Sequence, residues 1–277
     1  MTPAPGGQPM TKGPKPIKRS HERAMQHRLM KSAARTDLTN PDAPRWQDLR
    51  GVSPGVRSHI LGHAPLVDFH RETAASKAFD LLRTRLIQTI KLNGWSRIAI
   101  SAPTSGCGST FTAVNLALSL SRVPGSRTVL MDLNLRNPGV ADALDLHGEG
   151  DMRAFLQGEA PLARHIVRAN DTLALGLNST PDANAAECLH DPRTARTLDR
   201  MRNTFQTDIV LYDMPAMLAH DDVAAFLPQV DGVLLISDGT QTQAKHLAEC
   251  ERILDGQTQL LGVILNRARA SGIESYS

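Results

Sequence analysis

Two aspartates in this sequence each end a short apolar run. Asp132 closes TVLMD and is followed at steps of two by Asn134 and Arg136, while Asp213 closes DIVLYD with a proline two residues on. Carboxylates at strand ends can converge on a divalent cation or its water shell, although a single one is as readily a cap or turn former. A third apolar run, RIAISA over 97–102, leads into PTSGCGSTF and then into a helical stripe of Ala113, Leu116, Ala117 and Leu120. Gly106 and Gly108 can present backbone N–H groups to an anion at the start of that helix. Against the phosphate-binding spacing GxxxxGK(S/T), the closing positions are Gly108, Ser109 and Thr110. Thr110 stands where a hydroxyl binds magnesium, and Ser109 stands where the lysine belongs.

The elements that must position these residues alternate in type. HRETAASKAFDLLRTRLIQTIK places Ala78, Leu81, Leu82, Leu86 and Ile90 at helical spacing, which predicts an amphipathic helix from about residue 70 to Lys91, stopping before Asn93-Gly94. Six short apolar runs follow, at 97–102, 128–133, 172–177, 208–213, 232–237 and 260–266, separated by helical stretches. Short buried strands alternating with helices predict an α/β fold with a mostly parallel sheet flanked by helices. In such a sheet ligands sit beyond the carboxyl ends of the strands, where the loop and both aspartates fall.

Residues 1–62 differ in character, being rich in Pro, Gly, Lys and Arg with few large apolar groups. They read as a disordered basic arm with one transient helix near 20–35, ahead of a single folded domain over 63–277. Charge follows the same division, with 17 Lys/Arg against 7 Asp/Glu over residues 1–97 and 14 against 21 thereafter. Such an arm can touch anionic lipid, nucleic acid or an acidic partner. Cys107, Cys188 and Cys250 lie far apart with no zinc or disulfide spacing, which fits a reducing compartment. No apolar run approaches the roughly 20 residues of a membrane helix, and no signal peptide is expected.

From about Lys77 to Arg267 the chain resembles the cytoplasmic kinase domain of bacterial tyrosine kinases of polysaccharide biosynthesis and export, in the MinD/ParA branch of P-loop ATPases. GCGSTFTAVNLA (106–117) is similar to the family's GEGKST loop and its Ala-x-Asn-Leu-Ala helix. DLNLRNP (132–138) is similar to the acidic motif Asp-x-Asp-x-Arg-x-Pro, and DMPA (213–216) to the Walker B motif Asp-(Ser/Thr)-Pro-Pro. MRAFLQGEAPL (152–162), ANAAECL (183–189), DDVAAFLPQVDGVLLI (221–236) and LLGVILNRA (260–268) continue the match in order. The resemblance implies a P-loop NTPase-like fold and a site for ATP or ADP with Mg2+. Its nucleotide side would be Gly106, Cys107, Gly108, Ser109, Thr110, Phe111, Arg136 and Asn266. Thr110, Asp132 and Asp213 would hold the metal, with Asp132 and Asp213 catalytic and Asp132 the acceptor of a tyrosine proton.

The departures fall on the chemical groups. Ser109 is neutral and too short to reach the outer phosphates that the family's lysine contacts. Thr104 replaces the signature lysine, no lysine lies between Lys91 and Lys245, Pro103 opens the loop, and Asn134 replaces the second aspartate. The tyrosine-rich tail is reduced to Tyr276, and the ring-assembly motif Glu-x-x-Arg-x-x-Arg reads Lys77, Asp80 and Arg83, with a modest Lys77–Asp80 pair expected. The resemblance therefore implies a degenerate tyrosine-kinase-like protein regulating exopolysaccharide or capsule biosynthesis or export. It would work at the inner face of the cell membrane, docking on a membrane-anchored chain-length or export protein or on an active paralogue. Self-association and membrane contact through the arm are further expectations; nucleic acid is not. Two other readings stay open, an active ATP-dependent tyrosine autokinase and a MinD/ParA-like positioning ATPase.

Overall fold

The computed structural model describes residues 43–55, 66–67, 73–147 and 150–268. The helix expected near 20–35 and Tyr276 lie outside them. A seven-stranded sheet carries the fold: β1 Arg97–Ser101, β2 Thr128–Asp132, β3 Ile166–Arg168, β4 Leu173–Gly176, β5 Ile209–Asp213, β6 Gly232–Asp238 and β7 Gln259–Asn266. Their order is β3-β4-β2-β5-β1-β6-β7. Every pairing is parallel except β3 with β4. The α/β class is as expected, and β3 is an addition to the six strands anticipated. Its three residues, the last of them polar, follow directly on the helix Leu162–His165, so no apolar run marks it.

Alternate residues of each central strand feed two cores. Ala99, Val210 and Tyr212 face one, with Phe155, Phe205 and Phe226. Ile98, Ile100, Ile209 and Leu211 face the other, with Leu116 and Leu120 of the helix Ser109–Leu120. This is the period of two that a pleated strand imposes. The helix Ala74–Asn93 covers Ser109–Leu120, starting at a Thr73 hydroxyl that accepts from the Ser76 amide and ending at Gly94 with φ 68°. Its buried apolar side chains are Leu86 and Ile90, whereas Leu81, expected in the stripe, is half exposed. Among the described residues no helix is long and apolar enough to cross a membrane.

The Lys77–Asp80 pair is not what forms. Asp80 Oδ1 instead accepts from Arg83 Nη1 at 2.9 Å, Arg122 Nη1 at 3.2 Å and Ser119 Oγ at 2.9 Å. The carboxylate thus joins the two helices, because arginine forks and a hydroxyl on the packed face outcompete an exposed lysine.

The folded unit also reaches further toward the N-terminus than residue 63. Trp46 and Leu49, on a short helical turn at Trp46–Asp48, are each 3% exposed within the core that holds Phe205 and Met201. Arg127 lies over the Trp46 ring at 5.5 Å. The backbone is tied as well, by Val52 N donating to Arg168 O and Arg168 N to Arg50 O, both at 2.8 Å. Two large apolar side chains in one turn suffice to anchor a stretch whose average composition is polar. Replacing Trp46 by alanine is expected to lower stability by about 3 kcal/mol, the range for emptying a large aromatic site. A urea midpoint unchanged from wild type would show instead that residues 43–55 add nothing to the core.

Candidate functional site

The sheet order puts β1 between β5 and β6, while the chain after β1 crosses over to β2. The connections after β1, β2 and β5 therefore open at one end of the sheet, at its switch point. There the helix that follows the loop 102–108 meets Asp213 through Thr110, with Asp132 beside it in register. Met217 N donates to Ala102 O at 2.8 Å and Leu218 N to Pro103 O at 3.1 Å, fastening the start of the loop to the segment after β5.

Three successive carbonyls in the middle of the loop are held by side chains from beyond β6 and β7. Gln241 Nε2 donates to Ser105 O at 3.3 Å, Arg267 Nη1 to Gly106 O at 3.0 Å and Asn266 Nδ2 to Cys107 O at 2.9 Å. Gly106 and Gly108 have φ of 82° and 91°. A Cβ on Gly108 would lie 2.4 Å from Asn266 Nδ2, so both the backbone angle and the space require glycine there. The amides of Gly106, Gly108, Ser109 and Thr110 have no protein acceptor among the described residues. With carbonyls paired and amides open at a helix start, the loop is set up for an anion.

Asp132 and Asp213 are direct register partners across β2 and β5, and both are fully buried. Thr110 Oγ1 donates to Asp213 Oδ2 at 2.7 Å. Asp132 Oδ2 accepts from the amides of Gly139 and Val140 at 3.0 and 2.9 Å, capping a short helix at Val140–Ala143. The second oxygen of each carboxylate, Asp132 Oδ1 and Asp213 Oδ1, has no hydrogen-bond partner among the described residues. Buried acceptors are rarely left so, and two of them beside a hydroxyl fit a hard dication that keeps several of its waters. Mg2+ is therefore compatible with the residues present. Desolvation raises the Asp132 carboxyl to about 7, against the pull of the Val140, Gly139 and Asn134 amides. Burial, and then the charge of Asp132, push Asp213 well above the usual carboxylate range, with the Thr110 hydroxyl opposing.

The remaining predicted residues divide. Asn266 and Cys107 are at the loop, the thiol buried and within 3.5 Å of Thr104 Oγ1. Ser109 is half-buried at the first position of the helix. Phe111 is turned to pack edge-to-face on Phe79, with centroids 6.2 Å apart. Arg136 is committed elsewhere, its Nε and Nη2 forming a two-pronged pair with the buried Asp222 at 2.8 and 3.0 Å. The structure does not bring it to the loop as a nucleotide contact. Gln241, Arg267, Asp222 and Asp238 were not anticipated, although the rule that ligands lie beyond strand ends points to the segments after β5, β6 and β7. A shallow groove of about 430 Å³ lined by Arg193, Arg196 and Arg200 does not include the loop, so the site is located by geometry rather than by concavity.

No protein-family model matches the chain. It is 29% identical over 187 residues to the succinoglycan biosynthesis transport protein ExoP of Rhizobium meliloti (strain 1021), covering 65% of this chain and 23% of that protein. It is 27% identical over 220 residues to the putative tyrosine-protein kinase EpsB of Ralstonia nicotianae, covering 78% and 28%. The chain thus spans about a quarter of the length of these curated relatives. Its fold is similar to the kinase domain of the Escherichia coli tyrosine kinase ETK, with a TM-score of 0.68 at 22% identity over 82% of this chain and 92% of that one. The resemblance to bacterial tyrosine kinases of polysaccharide biosynthesis, with a P-loop NTPase-like fold, is borne out.

The buried carboxylates give stability a defined dependence on pH. A folded-state proton affinity above the ordinary value of 3.8 means that protonation stabilises the fold fully below about pH 4, and that this contribution is lost as pH rises through about 7. In metal-free urea titrations, wild type is expected to lose stability relative to Asp132→Asn between about pH 4 and about pH 8, by on the order of a few kcal/mol. Mg2+ should reduce the loss. Parallel profiles for the two proteins would remove the burden assigned to Asp132.

Proposed function

We propose that this domain is a degenerate tyrosine-kinase-like module that regulates exopolysaccharide biosynthesis or export and keeps its phosphate loop as a receptor for ATP or ADP. The observation that carries this is the loop itself: three carbonyls held by side chains, four open amides, and two buried aspartates with unpartnered oxygens beside it. A bound Mg-nucleotide would supply a dication for those oxygens and a phosphoryl group for transfer. The chain's own work is to bind and orient. Thr110 holds Asp213, Asp132 and Asp213 order the metal or its water, and the amides of Gly106, Gly108, Ser109 and Thr110 receive the anion.

The missing lysine and the Asn134 replacement argue for binding without efficient turnover, since phosphoryl transfer depends on neutralising spreading negative charge. Output is then regulatory, through docking on the cytoplasmic end of a membrane-anchored chain-length or export protein, or on an active paralogue, at the inner face of the membrane. The relatives, a succinoglycan biosynthesis transport protein and a putative tyrosine-protein kinase, support the polysaccharide and kinase-like parts of this reading. A second reading, an active autokinase, is favoured by one feature. The buried Asp132 keeps one carboxylate oxygen with no partner among the described residues, an acceptor for a tyrosine proton.

Calorimetric titration of Mg-ATP and Mg-ADP into the full chain tests both readings. Wild type is expected to bind weakly and saturably, with Asp132→Ala losing the Mg2+ dependence. Ser109→Lys should tighten binding about tenfold or more, the worth of one charge-assisted hydrogen bond. No heat of binding from wild type would remove the receptor assignment. ATP-dependent phosphate on Tyr276, seen by mass spectrometry, would transfer it to the autokinase.

A further inference from the structure

With Ser109 in the lysine position, the loop contributes no cation to an anion bound on it. A cation reaches the loop from another part of the chain. Arg267, the residue after β7, donates from Nη1 both to Gly106 O at 3.0 Å and to Asp238 Oδ2 at 2.6 Å. No other Lys or Arg among the described residues makes a hydrogen bond or ion pair with residues 103–110. The Asp238 side chain is fully buried whereas 56% of the Arg267 side chain is exposed, so the carboxylate anchors a guanidinium that still meets solvent.

Donor capacity remains. A guanidinium carries five N–H groups in a fixed fork, and those on Nε and Nη2 have no acceptor among the described residues. The backbone fixes the direction of the side chain. Arg267 has φ 52°, a left-handed conformation that Asp145 and Gln206 also adopt. Here the Arg267 amide donates to Asn266 Oδ1 at 2.9 Å and Gly239 N to Asn266 O at 2.9 Å, fixing the turn that delivers the side chain to the loop.

We propose that Arg267 takes the place of the absent loop lysine as the phosphate-neutralising residue, making the site selective for nucleoside di- and triphosphates over the nucleoside. This rests on the nucleotide reading above and adds the residue that gives it charge. Delivery from a neighbouring strand end suits arginine, whose fork can hold a loop carbonyl with one nitrogen and an oxyanion with the others. Asp238 offsets part of its charge, so the site should bind more weakly than one with a lysine in the loop.

The test is calorimetry on the full chain with Mg-ADP, adenosine and inorganic pyrophosphate. Arg267→Gln keeps an N–H donor for Gly106 O but removes the charge, which separates neutralisation from loop shaping. The expected result is a weakening of Mg-ADP binding by about tenfold or more with adenosine unaffected, and recovery in the Ser109→Lys/Arg267→Gln double variant. Mg-ADP affinity within twofold of wild type, or an equal loss for adenosine, would overturn the proposal. If wild type takes no Mg-ADP, the nucleotide reading has failed and pyrophosphate decides on the arginine alone. Pyrophosphate bound by wild type and lost in Arg267→Gln would sustain the charge role, while pyrophosphate that does not bind, or binds both alike, would end it.

Discussion

Two carboxylates side by side in a dry interior set the terms for the rest of this structure. Asp132 and Asp213 are register partners on adjacent central strands, and each keeps one oxygen with no partner among the described residues. Two negative charges cannot share such a place without a proton or a cation. The fold has only partly answered this, since Thr110 satisfies one oxygen of Asp213 and two amides satisfy one of Asp132. One oxygen on each carboxylate is left over, at the end of the sheet where the loop leads into its helix. The carboxylates and the loop thus lie at the same end of the sheet, joined through the Thr110 hydroxyl.

The loop shows how shape and charge can be separated. Its carbonyls are held from outside by Gln241, Arg267 and Asn266, so its conformation does not depend on the residue at position 109. Each such bond contributes on the order of 1 kcal/mol, and together they lower the ordering cost that an anion would otherwise meet on binding. A sequence can therefore lose its phosphate-contacting lysine and still keep the receptive backbone. The fold of the tyrosine-kinase domains is retained while the chemistry depends on particular side chains, as is general for widely used folds.

The same separation appears on the first helix. Asp80 serves an internal junction with Arg83, Arg122 and Ser119, so a charge at a position where the family places an assembly arginine is used within the chain. Arg136 likewise answers the buried Asp222. A motif residue can keep its type and its place in the chain while the surrounding packing gives it a different partner.

The sequence by itself determined the fold class, the sites of both aspartates at strand ends and the loop before its helix. These depend on local order, an apolar run of strand length, a glycine pair and a helical stripe, all readable along the chain. It did not show β3, whose three residues pair only because β4 offers an edge, nor the docking of Trp46, which needs a core assembled from distant segments. It did not give the partners of Arg136 and Arg267, because a guanidinium takes whichever carboxylate or carbonyl the packed chain sets within reach. Only the tertiary structure decided that Asp222 lies beside Arg136 and that Gly106 and Asp238 lie beside Arg267. Those pairings join residues 86, 161 and 29 positions apart, and nothing local in a sequence encodes them.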